Sequence, residues 1–159
     1  EFADFECPYC GFVRPILEEL VKKHGDKVRV CYAPYPLPNH PNGMPSAVAA
    51  LVARDKGKFW EMHDRLFANQ LALSVPTIKE LAATLGIPAA EVQKALDSGK
   101  YAAEIASWKE LGKTSGVERT PTIFLNGRVF ELSPTVEQFD HAADDELEWI
   151  SSPNAWAKD

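Results

Sequence analysis

Residues 1–33 change hydrophobic period twice, and that change limits the folds open to the chain. Glu1-Phe2-Ala3-Asp4-Phe5 is apolar and strand-like, and the pattern breaks at Pro8. Phe12, Ile16, Leu17, Leu20 and Val21 then recur at helical spacing on one face. Lys22, Lys23 and His24 suit the negative end of that helix, and Gly25 can stop it. Pro15 falls inside the pattern and predicts a kink. Lys27-Val28-Arg29-Val30-Cys31-Tyr32-Ala33 alternates as a strand does. Strand, helix and strand in so short a stretch predict two parallel strands joined by a right-handed crossover.

Pro34, Pro36, Pro38 and Pro41, followed by Asn42-Gly43, mark a connector. From Ser46 to about Gly112 the pattern is helical. Ala47, Val48, Ala50 and Leu51 begin it, and Phe59, Trp60, Met62, His63, Leu66 and Phe67 form an aromatic stripe. Thr77-Ile78-Lys79-Glu80 reads as a capping box opening a helix with Leu81 and Leu85. Pro88 sits where the next helix would take its first turn, with Val92 and Leu96 beyond it. Tyr101, Ile105, Trp108 and Gly112 space a further one. Thr122–Leu125 and Arg128–Glu131 flank Asn126-Gly127, a strong two-residue hairpin signal. Ser133 can cap a last helix with Pro134 at its first position. Val136, Phe139, Ala143, Leu147 and Ile150 give that helix an apolar face, and the tail from Ser151 to Asp159 reads as a loose end.

The order is therefore β-α-β, a helical block, then β-β-α. With the block set aside, this is the element order of a thioredoxin fold: α/β, with a central mixed sheet and an inserted α-helical subdomain. The two halves can share one sheet only if the block is an insertion. We therefore expect a discontinuous domain at 1–37 and 114–159, and an inserted subdomain at 38–113. A strand at residue 1, with no charged leader or apolar signal core before it, suggests that upstream sequence is missing. Its absence says nothing about localisation.

The formal charge of −6 argues against nucleic acid or anionic membrane as the main partner, since both select for basic patches. No apolar run approaches the ~20 residues that span a bilayer. Membrane contact is expected only if the chain is part of a longer anchored protein.

Three cysteines do not make a disulfide-stapled scaffold, and two of them are Cys7 and Cys10. Three apart at the first turn of a helix, they place one sulfur outermost and the other a turn behind. Unpaired N–H groups and the positive end of the helix dipole favour a thiolate at the leading position, so Cys7 is the expected nucleophile. A mixed disulfide at Cys7 resolves through Cys10. Pro8 lacks an N–H that would be unpaired there anyway, and Tyr9 lies close enough to shape substrate contact. Zinc is the competing reading of such a pair, but a structural site needs four ligands. Cys31 sits in an apolar strand, and the histidines at 24, 40, 63 and 141 show no ligand spacing. No metal and no cofactor beyond a redox-active Cys7–Cys10 disulfide is expected.

The stretch EFADFECPYC resembles the active-site strand and helix start of DsbA-like thioredoxin-fold oxidoreductases. Gly116-Val117-Glu118-Arg119-Thr120-Pro121-Thr122 resembles that family's loop carrying a cis-proline opposite the redox motif. HPNG at 40–43 and GKFWEMHDRLFANQ at 57–70 resemble the helical insertion of its bacterial branch. The resemblance implies that Cys7 is the exposed nucleophile and Cys10 the buried resolving thiol. It makes Pro121 the cis-proline, with Thr120 before it, pairing with an extended substrate segment. An ordinary trans proline at a strand start is the alternative. Glu1 matches a buried acid that accepts the Cys10 proton, or else it is an exposed strand end. Arg119 stands where the family usually has glycine, and either supplies positive charge to a thiolate or points to solvent. Glu6 is expected to be solvated and, if anything, to raise the Cys7 pKa.

Plainer readings hold elsewhere. Cys31 is expected as a small core residue, His40 on a surface turn, and Trp60, Met62 and Phe67 in the core. The expected activity is disulfide exchange with polypeptide thiols or disulfides, as a monomer with a redox-recycling partner. If the direction is oxidation, an extracytoplasmic home is favoured over the cytoplasm. A reductase, isomerase or glutathione-linked enzyme is the first alternative, since CPYC is also a glutaredoxin motif. A redox-silent binding or sensor module of a longer protein is the second.

Overall fold

A computed structural model describes residues 1–130 and 134–152. Strand β1 (Phe2–Ala3) leads through Asp4–Cys7 into helix α1 (Pro8–His24), which ends at Gly25 with φ 56°. A 3₁₀ turn (Gly25–Lys27) precedes β2 (Ala33–Pro34). The helical block follows as α2 (Gly43–Arg54), α3 (Phe59–Ala68), a second 3₁₀ turn (Gln70–Ala72), α4 (Val75–Thr84), α5 (Ala89–Ser98) and α6 (Ala102–Thr114). The chain closes with β3 (Phe124–Leu125), β4 (Arg128–Val129) and α7 (Val136–Ser151).

β1 is the hinge of this arrangement. It pairs in parallel with β2, Phe2 opposite Ala33 and Ala3 opposite Pro34. On its other side Phe2 forms an antiparallel bridge with Thr122, the two backbones exchanging bonds of 2.8 and 3.1 Å. β3 and β4 pair antiparallel around Asn126 (φ 48°) and Gly127 (φ 84°), the doubly left-handed turn that an Asn-Gly hairpin demands. Thus the first and last thirds of the chain meet at one strand, and the helical block is an insertion in a thioredoxin fold.

The expected strand at 27–33 is shorter than the alternation suggested. Only its end is laddered, through Ala33 N to the Glu1 carbonyl (2.7 Å) and Tyr35 N to the Ala3 carbonyl (2.8 Å). The alternation persists in side-chain direction: Val28, Val30 and Tyr32 turn inward, whereas Arg29 and Cys31 are exposed. Cys31 is thus a surface thiol and not a core residue.

Helix starts moved for local reasons. α4 begins one turn before the expected capping box, because the Ser74 hydroxyl accepts the Thr77 N–H at 3.2 Å and Pro76 needs no partner. Pro88 precedes α5 as its N-cap and is not in its first turn. α7 is capped by Thr135, whose hydroxyl accepts the Gln138 N–H at 3.2 Å. Ser133, the expected cap, and the tail beyond residue 152 lie outside the described residues.

Three apolar clusters hold the elements. The largest joins α2–α5 to Phe5 and Ala3; Met62, Leu66, Ile78, Ile87, Val92 and Ile105 are fully enclosed in it. Each such side chain contributes about 1.5–3 kcal/mol of apolar burial. α2 is buried from Ser46 to Ala53, and its small Ala-rich surface lets α3, α4 and α5 close on it. Met62 and Phe67 are core as expected, but Trp60 sits at the edge, 46% exposed and packed on Phe59 and His63. Val13, Leu17 and Leu20 of α1 pack on Phe139 and Ala143 of α7, with Phe130 stacked on Phe139 at 4.0 Å. The outer positions Val136 and Ile150 of α7 remain exposed. Phe2, Ala33 and Val117 form the third cluster with Tyr35, Trp108 and Phe124. Gly112 lets α6 approach it: a Cβ there would meet the Tyr35 ring at 2.6 Å.

Candidate active site

Cys7 is the N-cap of α1, extended (φ −76°, ψ 118°), and no side chain caps the helix. Pro8 occupies the first helical position, so the first-turn N–H groups are left to act on the sulfur. The Cys7 N–H itself donates to the Asp4 carbonyl at 3.0 Å, closing the turn from strand to helix. The thiol of Cys7 donates to the Thr120 carbonyl at 3.3 Å, across 113 residues of sequence. The Thr120–Pro121 peptide is cis. The loop at 119–121 and the redox motif, far apart in sequence, therefore face each other.

The two thiols differ sharply. Cys7 is held down to a pKa of about 5, first by a hydrogen bond from the Cys10 thiol, against the cost of burial. The Thr120 hydroxyl and the Cys10 and Tyr9 N–H groups add to it. That hydroxyl is buried and has no other partner, so it is free to donate when the sulfur ionises. Cys10 is pushed far above the usual thiol range, by burial first and by its bond to Cys7 second, with only the Asp4 N–H opposing. The site thus holds one readily formed thiolate and one persistent thiol.

Cys7 is less open than expected. It keeps 4% exposure against 0% for Cys10, because the Thr120 carbonyl covers it. Tyr9 is 73% exposed beside it. Glu1 is half-buried, and burial raises its carboxyl to a pKa of about 7, with a Cys7 thiolate adding to the rise. Its charge in turn raises Cys10. Glu1 is therefore not the exposed strand end of the alternative reading. Arg119 is exposed, and it is not among the groups that lower Cys7.

Glu6 departs from expectation. Its carboxylate accepts the Asn42 backbone N–H at 2.6 Å and the Asn42 amide at 3.1 Å, pinning the connector to the redox motif. It does not figure among the causes that set the Cys7 pKa. His40, expected on a surface turn, instead reaches a buried carboxylate. Asp4 is fully enclosed, and its oxygens take the Leu37 N–H (2.7 Å), the Glu6 N–H (2.9 Å) and His40 Nδ1 (2.8 Å). Gly43 makes room for it, since a Cβ there would lie 2.7 Å from Asp4 Oδ1. The proline-rich connector is thus wrapped around a single carboxylate.

Two more site residues escaped the sequence reading. Gln70, from the insertion, donates to the carbonyls of Phe5 and Cys7, both at 2.8 Å, and lies against Gly11. Tyr32 stacks on Phe5 at 4.8 Å with its hydroxyl buried and unpartnered. Burial, then the charges of Glu1 and Cys10, push that phenol well up. Among the described residues no group of three or more His, Cys, Asp or Glu side chains stands together as a metal site.

This is the site geometry of a thioredoxin-fold protein, and the comparisons agree. A family model described as Thioredoxin matches residues 1–145, and the chain belongs to that family. Its fold is that of DsbA-type proteins. It superposes on BdbD from Bacillus subtilis in its oxidised form with a TM-score of 0.81 and 24% identity, covering 93% of this chain and 85% of that one. The thiol-disulfide exchange protein alpha-DsbA2 from Wolbachia pipientis gives a TM-score of 0.77 and 19% identity, over 91% and 78%. By sequence the chain is also similar to part of proteins named Na(+)/H(+) antiporter NhaA. The Salinispora tropica protein is 38% identical over 80% of this chain, and that of Salinispora arenicola 36% over 89%. The chain spans about a fifth of the length of these relatives, 20% and 22% respectively.

Proposed function

We propose that the protein is a thiol–disulfide oxidoreductase that forms disulfides in polypeptide thiols through Cys7 and Cys10. The observation that carries this reading is the asymmetry of the pair: a thiolate stabilised at Cys7 beside a thiol held protonated at Cys10. In the oxidised form a substrate thiolate attacks Cys7 Sγ, and the Cys7–Cys10 bond breaks. Its electron pair goes to Cys10, which takes up a proton. A second substrate thiolate then attacks the substrate sulfur of the mixed disulfide, and Cys7 leaves as a thiolate. Two substrate thiols are oxidised by two electrons, and the Cys7–Cys10 disulfide is reduced. A recycling partner carrying a disulfide or another two-electron oxidant restores it.

Glu1, with its carboxyl near neutrality, holds the proton that passes to and from Cys10. Thr120 and Pro121 offer backbone to an extended substrate segment, and Tyr9 flanks it. Residues 1–37 with 114–159 carry this chemistry, and 38–113 braces it through Gln70 and Asn42. An oxidase of this kind works where disulfides persist, outside the cytoplasm. The likeness to segments of proteins named antiporters favours a second reading, in which such a unit serves as one module of a longer membrane protein. No helix among the described residues is itself long and apolar enough to cross a membrane.

The test is a trap. Cys10→Ala incubated with an oxidised polypeptide substrate should accumulate a mixed disulfide at Cys7, seen on non-reducing gels and located by mass spectrometry. No adduct, or an adduct at Cys31, would overturn the assigned roles.

A further inference from the structure

Beside Cys7 lies an open cleft of about 310 Å³ whose walls are apolar: Phe12, Val13, Pro121, Ile123 and Phe130, with Tyr9 at the rim. Phe12 is 62% exposed here, although its spacing places it on the apolar face of α1. Among the described residues that line it, the one with a full charge at neutral pH is Arg119. Its backbone is fixed, because the Thr122 hydroxyl donates to the Arg119 carbonyl at 2.7 Å. Its guanidinium has no hydrogen bond or ion pair among the described residues. The adjoining Glu118 is exposed but does not line the cleft. The next residue, Thr120, is the one whose carbonyl lies 3.3 Å from Cys7 Sγ.

We propose that Arg119 is a specificity residue that selects substrate segments bearing a carboxylate next to the reacting cysteine. The proposal rests on the oxidoreductase reading above. A cysteine presented to Cys7 must pass the 119–121 backbone. Consecutive Cα atoms on both chains lie within about 4 Å, so a flanking substrate side chain falls opposite Arg119. The protein's net charge of −6 repels acidic peptides at long range. Salt limits that repulsion to about 8 Å at physiological strength, and within that range a flanking carboxylate meets the Arg119 guanidinium at the cleft wall. The apolar walls accept the remainder of the segment without regard to charge.

The experiment measures second-order rates at which the oxidised protein oxidises two dithiol peptides, alike except for Asp or Lys on both sides of the reactive cysteine. Asp and Lys alter the peptide thiol's own pKa, so the Asp-to-Lys rate ratio is read against that of Arg119→Gln. The wild-type ratio should exceed it by up to about fivefold, the scale of an exposed ion pair. Arg119→Glu should move the ratio the other way, and high salt should compress both differences. A ratio indifferent to residue 119, with both peptides turned over, overturns this proposal and leaves the oxidoreductase reading intact. Failure to oxidise either peptide overturns both.

Discussion

Replacing Cys10 by serine and by alanine separates the causes that hold Cys7 as a thiolate. The largest is the hydrogen bond from the Cys10 thiol. Serine keeps a donor of similar size, whereas alanine removes it and leaves the backbone N–H groups and the Thr120 hydroxyl in place. A hydrogen bond to a charged acceptor is worth about 1.5–3 kcal/mol, and one pKa unit corresponds to about 1.4 kcal/mol. Cys10→Ala should therefore raise the Cys7 pKa from about 5 to between about 6 and 7. Cys10→Ser should stay near the wild-type value. The assay is the pH dependence of thiolate ultraviolet absorbance, with iodoacetamide alkylation rates as a second readout. Both should be run in a Cys31→Ser background, because Cys31 is exposed and would titrate as well. If the two variants titrate together near the wild-type pKa, the Cys10 bond is not the dominant cause and the helix start alone suffices.

Two other consequences concern stability and proton transfer. Glu1 has a folded pKa of about 7, above the ordinary carboxyl value of 4.5. Its contribution to stability is present below the ordinary value and lost as pH rises through 7. Glu1→Gln should thus be the more stable protein above pH 7 by about 1–3 kcal/mol in urea unfolding, with the gap closing towards acid pH. The same variant should release mixed disulfides more slowly and lose any rate inflection near pH 7; an unchanged profile would remove Glu1 from proton transfer. Gly112→Ala should destabilise by about 1–3 kcal/mol through overpacking on Tyr35 and Phe2, seen as a lower urea midpoint at constant slope.

What could be read from the sequence was local. The Cys-Pro-Tyr-Cys step, the Asn126-Gly127 turn and the helical block depend on neighbours a few residues apart, and the structure has each of them, with helix starts in the block shifted by up to a turn. Asp4 and Gln70 were missed because their partners are distant: Asp4 is satisfied by Leu37 and His40, and Gln70 reaches back to Phe5 and Cys7. A lone aspartate between Ala3 and Phe5 was the available signal, since a charge in an apolar strand must find donors. Cys31 was misplaced although its parity with Arg29 pointed outward. Phe12 was misplaced because the period counts apolar faces without saying which of them the fold leaves open.

The reduction potential of the Cys7–Cys10 pair, measured at equilibrium in glutathione buffers, tests the central claim most directly. A stabilised thiolate favours the reduced form and so makes the disulfide a stronger oxidant. With Cys7 at a pKa of about 5, the potential should lie well above the ~−270 mV of thioredoxin, towards the ~−120 mV of DsbA. A value at or below about −270 mV would contradict the account and make the protein a reductase.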